Sequence, residues 1–162
     1  MPRVIVNSTP LIILCNIGKL NLLKSLYGEI IIPNAVYEEV TEKQDSACRQ
    51  IISAGDWIRV EKIKDQTDKR MYKAKLHDGE VEVMILAQEQ SKADLVIIDD
   101  NAAKKTAKYL GLTVTGTIGV ILKAKQCGII TEIFPLIQDM KQKGFYISDS
   151  LQQLIIRQAG EL

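Results

Sequence analysis

Residues Leu95 to Val114 read LVIIDDNAAKKTAKYLGLTV, and the fold class follows from the order in which these residues change character. Leu95–Ile98 is a short apolar, β-branched run, the composition of a strand buried on both faces. It ends on two carboxylates, Asp99 and Asp100. Over Ala102–Leu110 apolar residues return at helical spacing, and Gly111 stands where a helix ends on a left-handed residue. Leu112–Val114 then opens another β-type run. A strand, a helix and a strand in this succession predict parallel neighbours joined by a crossover.

The same alternation extends outward from this unit. Val4–Val6, Glu29–Ile32 and Trp57–Val60 are further strand candidates, rich in Ile or Val and bounded by polar or turn residues. Helical periodicity covers Thr9–Ile17, Leu20–Leu26, Pro33–Thr41, Ser46–Ala54, Gly79–Gln90, Thr117–Gln126, Glu132–Lys143 and Asp149–Gln158. Pro10 and Pro33 are placed like first-turn prolines, and Gly128 and Gly144, like Gly111, as C-terminal stops. The expected class is α/β, one domain over residues 1–162. The stretch KIKDQTDKRMYKAKLHDGE, Lys62 to Glu80, is the most polar and reads as a mobile surface connection.

Composition narrows the functions open to such a frame. With 162 residues, 46% of them apolar, the chain can bury a sizeable core, and a net charge of +1 gives no global basic field to advertise nucleic acid. Cys15, Cys48 and Cys127 are widely spaced, and His77 is the one histidine, so neither a disulfide framework nor a structural zinc site is expected. The expectation is a soluble, cytoplasmic protein with no membrane span. No G-x-G-x-x-G and no G-x-x-x-x-G-K-[ST] occurs, which excludes support for a dinucleotide fold or a P-loop enzyme.

Open parallel sheets bind ligands beyond the carboxyl ends of their strands, so polar residues there are read first. Asn7-Ser8-Thr9 follows the first strand and Asp99-Asp100-Asn101 the fourth. Each admits a plain reading as a helix cap. In HDGEVEVMILA, Val81, Met84, Ile85 and Gln88 form a stripe, Val83 and Ala87 extend the buried face, and Glu80 borders the core; Asp78 and Glu80 also suit a helix N-terminus. In PNAVYEEV, Glu39 lies beside the Val36 and Val40 face, where a solvated glutamate is the usual outcome. Together Asn7, Glu39, Glu80 and Asp99 are oxygen donors from different elements. Such sets select hard ions such as Mg²⁺ or Mn²⁺, which activate water and stabilise charge developing on a phosphate.

The ordered set VIVNSTPLI, IIIPNAVYEEV, LHDGEVEVMILA, LVIIDDNAAKKTAKYLGLTVTGTIGVILKAKQCGII and GFYISDSLQQLI resembles the PIN-domain superfamily, in particular its prokaryotic branch ending in a glycine-rich TGTIGVILKAK helix. The resemblance runs from Val4 to about Ile156. It implies a three-layer α/β/α fold around a central, mainly parallel sheet of about five strands, often paired as a homodimer. Many relatives are ribonucleases dependent on one or two Mg²⁺ or Mn²⁺ ions, including VapC-type toxins restrained by a small antitoxin protein.

Carried over by motif, the resemblance makes Glu39, Glu80 and Asp99 the catalytic acids and Asn7, Glu39, Glu80, Asp99 and Asp100 the metal ligands, with Asp100 alternatively a cap. Thr9 falls where relatives place a hydroxyl near the metal. Asn7 departs from the pattern: an amide offers a carbonyl oxygen but no negative charge, and it cannot act as a base. Lys104, Lys105 and Lys108 after the strand end, with Lys123 and Lys125 further on, are candidate phosphate contacts, or simply a solvated basic face. Trp57 and the tyrosines could stack on bases. The function implied is a metal-dependent endoribonuclease acting on RNA, the toxin of a toxin–antitoxin pair. The alternative is a PIN-fold protein that has lost turnover and acts by binding RNA or a protein. Leu151, Leu154 and Ile155 could cover the domain's own core or face a second copy.

Overall fold

A computed structural model describes residues 2–64, 76–89 and 93–161. Among them runs a five-stranded sheet, all parallel, in the order β3-β2-β1-β4-β5. The strands are β1 (Val4–Val6), β2 (Ile30–Pro33), β3 (Ile58–Glu61), β4 (Leu95–Ile97) and β5 (Val114–Thr115). Flanking helices are α1 (Ser8–Asn16), α2 (Asn21–Tyr27), α3 (Asn34–Glu42), α4 (Ser46–Ser53), α5 (Asp78–Gln88), α6 (Asn101–Tyr109), α7 (Thr117–Gln126), α8 (Phe134–Gln142) and α9 (Asp149–Gln158). This is the α/β class expected from the alternation, with ends displaced by a residue or two.

Register explains why the middle strands carry no polar residue. Val4, Ile5 and Val6 pair with Leu95, Val96 and Ile97, while Ile5 also pairs with Ile31 on the other side. A strand with neighbours on both edges and helices flanking it has no wet face, and all three residues of β1 are buried. The apolar runs end where the sheet ends, so the first polar residues, Asn7 and Asp99, emerge at its carboxyl edge. The strand order reverses between β1 and β4, the place where open α/β sheets form their ligand crevice.

Several local expectations are corrected by packing. Pro33 ends β2 and stands just before α3, so its ring, with no side-chain acceptor, cannot cap that helix. Glu82, reaching across from α5, accepts the Ala35 N–H at 2.9 Å in its place. The apolar face expected for α5 widens to burial of every residue from Gly79 through Ala87, Glu80 and Glu82 included, with Gln88 exposed, because the helix packs on α3 while crossing β1 and β2. Of the polar stretch from Lys62 to Glu80, residues 65–75 lie outside the described residues; Ile63 and Leu76 on either side are buried, and Asp78–Glu80 open α5. Gly111, Gly128 and Gly144 do end helices, each at positive φ.

A second apolar cluster joins α7, α8 and α9 through Ile121, Ile133, Ile137, Met140 and Ile155, resting on Ile13 of α1 and Ile17 just after it. Glu161 fastens it. Its carboxylate accepts from Lys125 Nζ at 2.7 Å and from the Ile133 and Phe134 N–H groups at 2.7 and 3.1 Å. Burial opposes the charge, but these three donors outweigh it and hold the carboxyl below its ordinary value of 4.5. A depressed pKa stabilises the fold above the unfolded value and loses that contribution as pH falls through the folded one. Glu161→Gln is therefore expected to lower stability by about 1–2 kcal/mol at pH 7, with the difference from wild type shrinking below pH 4.5. Urea midpoints at pH 7 and pH 3.5 check both the size and the sign.

Lys123 lies over the Tyr27 ring, 4.9 Å from its centroid, so both Lys123 and Lys125 are engaged within the fold. Cys15 is buried, and burial, with the nearby Asp45 charge, pushes its thiol up to about 12; Cys127 is exposed. Among the described residues no helix is long and apolar enough to cross a membrane.

Candidate active site

Asn7 leaves β1 in extended backbone, its N–H donating to the Ile97 carbonyl of β4 at 3.0 Å. It occupies the N-cap position of α1, yet its side chain makes no capping bond, and it is only 4% exposed. The capping expectation fails here and holds at Asp100, whose carboxylate accepts from the Ala103 N–H at 2.9 Å as N-cap of α6. A buried amide that does not serve its own helix is free for other contacts.

Those contacts gather over Gly79. A Cβ placed on this glycine would lie 3.3 Å from Glu39 Oε1, 3.4 Å from Val36 Cγ2 and 3.6 Å from Asn7 Oδ1. The end of β1, the middle of α3 and the first turn of α5 thus meet at one spot. The missing side chain spares Glu39 Oε1 the crowding of a Cβ, while Asn7 Oδ1 stands at ordinary contact distance. Glu39 is exposed at the surface of α3, but its Oε1 turns to this spot beside the buried Val36.

Glu80 follows directly and is 7% exposed. Its Oε1 accepts the His77 N–H at 3.0 Å, the return half of a capping box that starts α5. Burial raises its proton affinity; the His77 N–H opposes this, while the charges of Asp100 and Glu39 add to it. Glu39 of α3 and Asp100, the N-cap of α6, thus both act electrostatically on Glu80. His77 is an exposed loop residue just before the helix.

Asp99 is turned elsewhere. Its Oδ1 accepts the Thr117 N–H at 2.8 Å and its Oδ2 the Thr117 hydroxyl at 2.6 Å. Both oxygens thus fasten the first residue of α7, whose side chain is fully buried. Gly116, just before it, has an ordinary extended backbone, and its need for no side chain is spatial: a Cβ there would stand 2.7 Å from Asp99 Oδ1 and 3.0 Å from Lys104 Nζ. Gly119 likewise leaves room for the Thr115 hydroxyl. Lys104 is half-buried near Asp99, whereas Lys105 and Lys108 are exposed along α6.

Thr9 is exposed on α1, and it is Ser8 that is buried, 1% exposed. Ser8 Oγ is the buried side-chain polar atom without a hydrogen-bond partner among the described residues. Nothing in the spacing of NST distinguishes the two hydroxyls before the helix phase is known.

The family pattern implies a divalent cation, and the donors present suit one in chemistry: two glutamates, two aspartates and an amide carbonyl form an all-oxygen set for a hard ion. The unpartnered Ser8 hydroxyl beside Asn7 is a further unused polar atom at the same strand end. Among the described residues, no three acidic, histidine or cysteine side chains are gathered at ligating distance.

An open parallel sheet with an amide and carboxylates at its switch point defines an α/β protein whose polar residues stand where such sheets bind ligands. A family profile described as a PIN domain matches residues 3–161, and the chain belongs to that family. PIN domains are generally nucleases and typically use divalent metals. No curated protein matches the sequence closely enough to count as a relative.

Proposed function

We propose that the protein is a divalent-metal-dependent endoribonuclease of the PIN type, in which Asn7, Glu39, Glu80 and Asp100 hold Mg²⁺ or Mn²⁺. One observation carries the reading: Asn7 Oδ1 and Glu39 Oε1 converge over Gly79, 3.6 and 3.3 Å from its Cβ position, at the switch point of the sheet. When bound, such an ion polarises the phosphodiester and makes water a nucleophile near neutral pH. Glu39 and Asn7 bind and orient from one side, Glu80 from the first turn of α5, and Asp100 from the first turn of α6. The resemblance makes Asp99 a catalytic acid and a ligand, with Asp100 a further ligand or a cap. Two hydrogen bonds from Thr117 favour Asp99 as the group that positions α7, and the charge coupling to Glu80 favours Asp100 as the ligand. No side-chain nucleophile is required.

Asn7 supplies an oxygen without a charge, so affinity for the ion is weaker than with a carboxylate. Wild type is expected to cleave a mixed pool of structured RNAs slowly in Mn²⁺ and not in EDTA, and Asn7→Asp to cleave at least about tenfold faster. Cleavage by Asn7→Asp alone would mark a silenced enzyme that works by binding RNA or a partner. Absence of cleavage by either chain at any ion concentration would end the ribonuclease reading. The toxin role, restraint by a small antitoxin and pairing as a homodimer belong to the same family-based reading. Leu151 and Leu154 on α9, 45% and 50% exposed, offer apolar surface to a second chain, while Ile155 covers the protein's own core.

A further inference from the structure

Beside Asp99 opens a cleft of about 450 Å³, walled by the start of α6, the start of α7, and α9 with the segment that precedes it. Its lining is of two kinds. Lys104 and Asn101 stand at the α6 wall, and among the described residues Lys104 makes no ion pair. Leu151 and Tyr146 line it as well, with Gln158 further along α9. Tyr146 is 85% exposed, so its ring is open to a ligand. Gly116 also lines it, and a side chain there would press on Lys104 and Asp99.

We propose that this cleft receives one nucleotide of a single-stranded RNA, its base on Tyr146 and its phosphate at Lys104, next to the phosphodiester to be cut. The inference rests on the ribonuclease reading and extends it to how the substrate is held. An apolar peptide would leave Lys104 and Asn101 without a purpose, and a bare phosphate would not use Tyr146 or Leu151. A nucleotide uses both walls, and the volume lies within the range of small-ligand sites. Continuity with the acidic cluster supports the placement. Asp99 borders the cleft, while the next residue, Asp100, is coupled to Glu80. Aromatic stacking tolerates any base, so the cleft confers position more than sequence preference.

Fluorescence anisotropy of a short labelled single-stranded RNA of mixed sequence, titrated in EDTA at several salt concentrations, tests this without requiring turnover. Tyr146→Ala is expected to weaken binding roughly 5- to 150-fold, the size of a lost stacking contact. Lys104→Ala should weaken it and reduce the salt slope by about 0.7, one phosphate contact to a single strand. Tyr109→Ala, which removes an equally exposed ring from the far end of α6, should bind as wild type does. Because Tyr146 is exposed, its removal should leave the thermal midpoint unchanged, which separates lost contact from lost fold. Wild-type affinity in both Tyr146→Ala and Lys104→Ala, or no RNA binding by wild type, would overturn the inference. Losses of the expected size in a chain that never cleaves would uphold the cleft and defeat the ribonuclease reading; cleavage with binding indifferent to both substitutions would do the reverse.

Discussion

Asp100→Asn is expected to leave the thermal midpoint close to wild type while reducing Mn²⁺-dependent RNA cleavage about a hundredfold or more. The two halves of this result have separate causes. Asparagine is as good an N-cap as aspartate, and its carbonyl can still accept the Ala103 N–H that Asp100 holds at 2.9 Å, so α6 keeps its start. Asp100 is also exposed, so no packing is lost. What disappears is a charge that acts on Glu80 and that, in the proposed site, faces the ion. A purely structural Asp100 would give unchanged activity with Asn and about 1 kcal/mol of lost stability with Ala. Cleavage assays and thermal melts on the Asn and Ala variants distinguish the two, and wild-type cleavage by Asp100→Asn would remove this residue from the site.

The second large effect falls on the neighbouring carboxylate and is of the opposite kind. Asp99→Ala should lower stability by about 3 kcal/mol, because it leaves the buried Thr117 N–H and hydroxyl without acceptors and each such loss costs about 1–3 kcal/mol. In a domain of this size that is a fall in thermal midpoint of about 6–12 °C. The helix dipole works in the same direction, since a negative charge at the first turn of α7 is lost. Asp99→Asn should be milder: its amide oxygen can take the Thr117 N–H and its amide hydrogen can turn to the hydroxyl. Calorimetry on both variants is the check. A midpoint within 2 °C of wild type for Asp99→Ala would show that Thr117 finds other partners, and would return Asp99 to the list of candidate ligands.

These contrasting expectations for adjacent residues show where reading the chain reached its limit. The apolar runs of the strands, the helical stripes and the glycine stops were legible because each depends on periodicities of two and 3.6 residues and on local backbone preference. The family resemblance, carried by five ordered motifs, brought Asn7, Glu39, Glu80 and the Asp99-Asp100 pair into view. It gave Asp99 the catalytic and ligand roles and left Asp100 as a further ligand or a cap, since both follow the same strand. Only the arrival of Thr117 from α7, eighteen residues on, engages one of them and leaves the other beside Glu80.

The same holds for Thr9 and Ser8, for Glu82 and for Tyr146. One-residue differences in helix phase decide whether a hydroxyl is buried, and a glutamate in an apolar helix looks like an anomaly until the prolyl start of α3 is seen to lack its own cap. By itself the sequence determined the α/β class, the succession of strands and helices, and the set of oxygen-bearing residues at strand ends, because these follow from short-range preference and patterning. The tertiary structure alone decided which of those oxygens meet, at Gly79, which are held by α7, and which walls enclose the cleft beside them, because those are contacts between elements far apart in the chain whose distances no local periodicity encodes.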